Sequence, residues 1–175
     1  MSGKEKIAIC PGSFDPVTLG HLDIITRSSK MFDKVIVVVA KNYLKNNYAF
    51  TPEERVELLK KCTGKIKNIE IVISDGLIAD FAKAKGAVAI VKGLRAVSDF
   101  EYEFQQALTN KRINPEVETV FITTSAENMF LSSSVVKQVC QYGGDISTFV
   151  PGEVRDEIVK RLNGNKNIFI EHREE

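Results

Sequence analysis

Pro11-Gly12-Ser13-Phe14-Asp15-Pro16-Val17-Thr18-Leu19-Gly20-His21 joins a short apolar run, residues 6–10, to a helical pattern that begins at Leu19. The stretch reads as the end of a strand, a turn made by Gly and Pro, and a helix with Gly20 and His21 in its first turn. Backbone N–H groups at a helix start have no intrahelical partner and carry partial positive charge, so this junction suits an anion. A histidine in that turn adds one more donor. The expected ligand is a nucleotide phosphate.

Apolar runs recur at 35–40, 69–73, 87–91 and 119–123. They are continuous and rich in Val and Ile rather than alternating, the pattern of strands buried on both faces. Helical patterns lie between them, at about 19–31, from 52 onward, at 77–85, at 98–114, from 133 to the Gly143-Gly144 pair, and from 152 to about 163. The second helix has a strong start signal: Thr51 as N-cap, Pro52 at the first helical position, and Glu54 three residues after the cap. Such alternation implies an α/β chain, a doubly wound sheet of about five parallel strands with helices on both faces. Ligands of such sheets bind beyond the carboxyl ends of the strands, at the switch point. The unusual residues fall there: 13–21, then Lys41 and Lys45, then 75–78, then Lys92-Gly93-Leu94-Arg95, then 128–134.

A length of 175 residues suits one domain with a real core. The formal net charge of +1 offers no broad electrostatic case for nucleic acid or an anionic membrane. Cys10, Cys62 and Cys140 are widely spaced and odd in number, so neither a disulfide framework nor a zinc site is expected. No run approaches the length of a membrane span and no apolar leader follows Met1, so a cytoplasmic protein is expected.

The familiar phosphate loops are missing. There is no G-x-x-x-x-G-K-[ST] and no G-x-G-x-x-G, which argues against a P-loop ATPase and a dinucleotide-dependent dehydrogenase. No G-x-S-x-G nucleophile elbow appears. What remains is a set of donors. Alone, Thr18-Leu19-Gly20-His21 reads equally well as a capped helix with a surface histidine. Lys92 and Arg95 suit a phosphate, or form a solvated basic turn. Asp99 and Glu101 suit a helix start by dipole interaction; Glu103 lies further in. Ser132, Ser133 and Ser134 enter a helix where one serine would suffice as a cap. No carboxylate–histidine cluster has metal-ligand spacing. Any Mg²⁺ is expected to arrive with substrate phosphates.

Taken in order, PGSFDPVTLGH, FTPEER, KGLRAVSDFEYEFQ and FLSSSVVKQV resemble the phosphopantetheine adenylyltransferase family, within the T/H-x-G-H nucleotidyltransferase superfamily. The resemblance runs from about Lys6 to Leu162, and GLRAVSDFEYE is its most specific part. It implies a Rossmann-like fold, one nucleotidyltransferase domain over 1–162 and a C-terminal tail over 163–175. It implies that ATP and 4′-phosphopantetheine give dephospho-coenzyme A and pyrophosphate, in a homo-oligomer that is commonly a hexamer. Other T-x-G-H enzymes, a nicotinate-mononucleotide adenylyltransferase or a glycerol-phosphate cytidylyltransferase, are the nearest rivals. A non-catalytic nucleotide-binding module is a rival of another class.

By the same resemblance His21, Lys45 and Arg95 are catalytic, with His21 stabilising charge on the α-phosphate. Ser13, Phe14, Gly93, Leu94, Glu103, Asn128, Met129, Phe130, Leu131, Ser132, Ser133 and Ser134 join His21 and Arg95 in binding ATP. Ser13, Lys45, Ile78 and Lys92 bind the acceptor, with Leu77 and Phe81 as further candidates beside its arm. Lys92 stands where the family often has Arg, and Leu131 where Ile is common. The loop over 41–48 is one residue longer than usual, which leaves Lys41 a rival to Lys45.

Overall fold

Each of the five apolar runs is a strand: β1 (Ile7–Gly12), β2 (Lys34–Ala40), β3 (Ile69–Ser74), β4 (Ala89–Leu94) and β5 (Glu118–Thr123). In this computed structural model, residues 5–40 and 47–163 are described, the side chains of Val97 and Ser98 excepted. Lys41, Lys45 and the tail beyond Asn163 lie outside the described residues.

All five strands pair in parallel, in the order β3-β2-β1-β4-β5. The winding direction reverses between β1 and β4, so the switch point lies there. The register shows how it opens. β1 stays paired with β2 from Ile7↔Lys34 to Gly12↔Val39. Its pairing with β4 stops after Ala8↔Ala89 and Ile9↔Ile90. Beyond Ile9 the two strands part. Pro11, which has no N–H to donate, falls in the stretch where only β2 is paired. The strand therefore runs two residues past the expected end at Cys10.

Among the described residues, six α-helices complete the fold: α1 (Leu19–Met31), α2 (Pro52–Thr63), α3 (Ile78–Ala84), α4 (Val97–Ile113), α5 (Ser133–Gln141) and α6 (Gly152–Asn163), with a 3₁₀ turn at Ala126–Asn128. Side chains alternate across a strand, so each central strand feeds two cores. Ala8, Cys10, Val35, Val37, Val39 and Val91 pack with Ile25 of α1, Leu58 of α2, Val136 of α5 and Ile158 of α6. Ile9, Ile36, Val38 and Ile90 point the other way and pack with Ala82 of α3. β3 and β5 depart from the expectation of burial on both faces. As the two edge strands they are mostly half-buried, with Ile73 and Thr123 exposed.

Local signals set the helix ends. Thr51 Oγ1 accepts from Glu54 N at 3.2 Å, and Glu54 returns the bond to Thr51 N at 2.8 Å. Both partners satisfy donors that the first turn leaves orphaned. Gly86, at φ +61°, takes the left-handed conformation just past α3 and stops it. Among the described residues no helix is long and apolar enough to cross a membrane.

Thr51→Ala removes half of that capping box. It is expected to cost about 1 kcal/mol of stability, read as a lower urea midpoint at an unchanged denaturant slope.

Candidate active site

Where β1 and β4 part, a cleft of about 1010 Å³ opens at the carboxyl end of the sheet. Its walls are the end of β1, the loop at 13–14, the first turn of α1, the end of β4, the start of α3, one face of α4 and residues 131–134 before and within α5.

The first turn of α1 supplies the most specific geometry. Thr18 is its N-cap and is buried. Thr18 Oγ1 accepts from His21 N at 3.3 Å, and the Thr18 backbone N–H donates to His21 Nδ1 at 3.0 Å. This is a capping box in which an imidazole occupies the place of the usual Glu or Gln. A backbone N–H can only donate, so in this bond Nδ1 accepts; Thr18 Oγ1 also lies 3.1 Å from Nδ1, a contact whose direction follows the tautomer. The ring proton then sits on Nε2, which makes that atom a donor. His21 is half-buried and lines the cleft, so it is not a surface histidine. The Phe14 ring meets it edge-on at 5.1 Å. Phe14 itself sits at φ +48° and folds back over Gly12. A Cβ on Gly12 would lie 2.7 Å from Phe14 Cζ, so any larger residue there would push the ring from this position.

The loop that carries these groups is held from three sides. Asp15 is 3% exposed. Its Oδ1 accepts from Phe50 N at 2.9 Å and from Ala49 N at 3.1 Å, and its Oδ2 pairs with Lys137 Nζ of α5 at 2.9 Å. Arg55 of α2, 1% exposed, donates to the Ser13 carbonyl at 2.8 Å and lies 4.3 Å over the Tyr48 ring. Ser133 Oγ donates to the Pro16 carbonyl at 2.8 Å. Sequence reading treats Asp15 as a turn residue and does not single out Arg55 or Lys137. Both stand inside the quoted motifs, FTPEER and FLSSSVVKQV, but charge alone does not mark them out, since α2 also carries Glu53, Glu54, Glu57, Lys60 and Lys61.

Across the cleft, Arg95 is clamped by Asp99: Nε to Oδ2 at 2.9 Å and Nη2 to Oδ1 at 3.1 Å. Its Nη1 reaches the Leu131 carbonyl at 2.9 Å, which ties β4 to the segment before α5. Asp99 thus does more than favour a helix dipole. Lys92 Nζ lies 3.0 Å from Glu103 Oε2. The three serines divide their work. Ser132 caps α5 by accepting from Val135 N at 3.1 Å, Ser133 bonds Pro16, and Ser134 lines the cleft exposed.

Ser13, Phe14, His21, Ile78, Lys92, Gly93, Arg95, Glu103, Leu131, Ser132, Ser133 and Ser134 all line this one cleft, and Leu77 with them. Leu94, Asn128, Met129 and Phe130 are not among its lining residues. Asn128 is buried and donates to Ser125 Oγ at 2.8 Å; Met129 and Phe130 are exposed, with Phe130 edge-on to Phe149. Phe81 packs into the second core. The helix α4 adds lining groups that sequence reading passed over, Tyr102, Gln106, Thr109 and Asn110. With Asp99 and Glu103 they follow one another in steps of three and four residues, which marks one helix face.

Cys10 also borders the cleft. Burial pushes its thiol up to about 11, against smaller downward pulls from the Ser28 hydroxyl and the Lys92 charge. It stays a thiol at neutral pH and is no nucleophile. The chemistry on offer is therefore a converging set of N–H and O–H donors and two helix starts, with Asp99 and Glu103 each paired to a cation. Such a site stabilises phosphate charge.

A family model described as cytidylyltransferase-like matches residues 9–139. The chain is 56% identical over 156 residues to a protein of Clostridium botulinum (strain Eklund 17B / Type B) named phosphopantetheine adenylyltransferase, covering 89% of this chain and 98% of that relative. It is 53% identical over 157 residues to a protein of the same name from Caldanaerobacter subterraneus subsp. tengcongensis, covering 90% and 98% respectively. In structure it is similar to a Vibrio parahaemolyticus protein assigned as a nicotinate-nucleotide adenylyltransferase, with a TM-score of 0.63 over 90% of this chain and 96% of that one. At 19% identity that likeness speaks to the fold alone.

Asp15→Ala leaves the Lys137 ammonium and two backbone N–H groups without their acceptor. It is expected to cost about 3 kcal/mol or more, measured by chemical denaturation. Cys10 is expected to resist iodoacetamide at pH 8 in the folded protein and to react once unfolded, as read by mass spectrometry of the labelled peptide.

Proposed function

We propose, because the chain belongs to the phosphopantetheine adenylyltransferase family, that it transfers the adenylyl group of ATP to 4′-phosphopantetheine. An acceptor phosphate oxygen bonds to the α-phosphorus of ATP. The bond from that phosphorus to the bridging oxygen breaks, and pyrophosphate leaves with the electron pair. The product is dephospho-coenzyme A. The acceptor phosphate is already ionised at neutral pH, so the step needs positioning and charge stabilisation rather than a strong base.

The observation that carries this reading is the bond from Thr18 N–H to His21 Nδ1. It holds Nε2–H as a donor at the switch point, next to the start of α1. In the proposed complex His21 meets the charge that grows on the α-phosphate. Arg95, Gly93 and the serines at 132–134 bind the nucleotide phosphates, with Ser13 and the Phe14 backbone between the two substrates. Leu94, Glu103, Asn128, Met129, Phe130 and Leu131 belong to the nucleotide side. Lys92 and Lys45 hold the acceptor phosphate, Lys41 being the rival to Lys45, and Ile78 with Leu77 meets the pantetheine arm. Mg²⁺ fits as a companion of the phosphates. The cleft offers donors for phosphate oxygens, and the described residues bring no three His, Cys, Asp or Glu together as a metal site. Such an ion would supply neutralisation of phosphate charge.

GLRAVSDFEYE favours this acceptor over nicotinate mononucleotide or a glycerol phosphate with CTP. We place the enzyme in the cytoplasm: its three cysteines are widely spaced and odd in number, which suits a reducing compartment. We also propose a homo-oligomer, a hexamer as in the resemblance. Phe100, Phe104 and Leu108 are 40–56% exposed on α4, and Phe100 packs on Phe121 of the edge strand β5, an apolar surface that a second copy would cover.

Pyrophosphate release is expected with ATP and 4′-phosphopantetheine, and not with the rival acceptors; no turnover with 4′-phosphopantetheine contradicts the reading. His21→Ala should lower kcat about 10²- to 10³-fold, as loss of one oxyanion-type donor does, with little change in the KM for ATP. Equal losses in both would make His21 a ground-state binder. Light scattering should give about six times the 19.5 kDa chain mass, and a monomer contradicts the oligomer.

A further inference from the structure

The Lys92–Glu103 pair is built in an unusual way. Lys92 stands near the end of β4 and Glu103 on the cleft-facing side of α4, and their side chains are only 23% and 20% exposed. The ammonium lies 3.0 Å from Glu103 Oε2, yet that buried oxygen makes no hydrogen bond of acceptable geometry. The carboxylate holds the cation by charge and not by a directed bond. An ammonium is a compact charge with three donors that can turn without moving its stem far. A guanidinium in a forked carboxylate, such as Arg95 on Asp99 across the cleft, has no such freedom.

We propose that Glu103 is a positioning residue that acts as a resting counter-ion for Lys92, and that an acceptor phosphate must compete with it for the ammonium. This rests on the reading that Lys92 holds the acceptor phosphate. Two consequences have the same sign. While Glu103 is ionised, Lys92 presents only part of its charge to the phosphate. The Glu103 charge also repels a dianion entering beside it. The pair therefore weakens acceptor binding in the ground state and eases departure of a phosphate-bearing product. It sets the acceptor affinity, while Asp99 locks Arg95 in place.

The test is calorimetric titration of 4′-phosphopantetheine into the full chain without ATP, for wild type, Glu103→Gln, Lys92→Met and the double variant. Inorganic phosphate, followed by its ³¹P resonance, serves as a second probe that carries the dianion without the arm. Glu103→Gln is expected to bind both probes about three- to tenfold more tightly, a coupling of the size found between charges in contact. The gain should fall to a small remainder in the Lys92→Met background, where only the direct repulsion is left. Thermal unfolding of each variant checks that it is folded. A purely structural Glu103 would weaken binding or leave it unchanged when neutralised, and either result overturns the proposal. A gain of undiminished size without Lys92 also overturns it, since general repulsion would then suffice. If wild type binds phosphate with the expected Glu103→Gln gain but not 4′-phosphopantetheine, the acceptor assignment fails while the competition stands.

Discussion

The site depends on one buried carboxylate. Asp15 is nearly inaccessible and ionised groups are rarely buried without partners. Here the partners are two backbone N–H groups at residues 49 and 50 and the ammonium of Lys137. Together they join the loop after β1 to the entrance of α2 and to α5, three elements far apart in the chain. Arg55 completes the frame by taking the Ser13 carbonyl. With that loop fixed, Thr18 arrives at the start of α1 with its N–H aimed at His21 Nδ1. A turn that was free to move would cap the helix as well, but it would not hold the imidazole in one tautomer facing the cleft.

The sheet provides the opening and the loop provides the donors. β1 and β4 separate after a short paired stretch, and the space between their ends is where α1 and α5 both begin. Two helix starts and a ring of N–H and O–H groups give a positive field without a large net charge, which agrees with a chain of formal charge +1. The cations are not left alone. Arg95 is rigidly forked on Asp99, and Lys92 is loosely countered by Glu103. In the proposed complex, a phosphate entering this cleft meets one fixed cation and one that can be won over.

Much of the frame is written locally. The α1 boundaries, 19 to 31, and the Thr51-to-Glu54 box depend on residues within one turn of each other, and both agree with the pattern reading. Strand burial at the edges does not. Ile69 to Ile73 reads as a core strand, and only its place at the end of the sheet order leaves it half-covered. The end of β1 escapes local reading for a related reason: a proline reads as a stop, and only the parting of β4 lets the strand run through it. The same division holds at the site. T-x-G-H and the serine run are visible as short patterns. The Asp15–Lys137 pair spans 122 residues and the Arg55 bond to Ser13 spans 42, so no local spacing reveals them. Arg95 and Asp99 both stand out in the sequence, yet their bidentate contact requires the bend from β4 into α4.

The central claim is that the helix cap dictates the protonation of His21. It is tested most directly by ¹⁵N NMR of the histidine rings at neutral pH, with His172→Asn leaving His21 as the only histidine. The account predicts a neutral ring with an unprotonated, hydrogen-bonded Nδ1 and the proton on Nε2. A ring protonated on Nδ1, or one exchanging freely between tautomers, would contradict it.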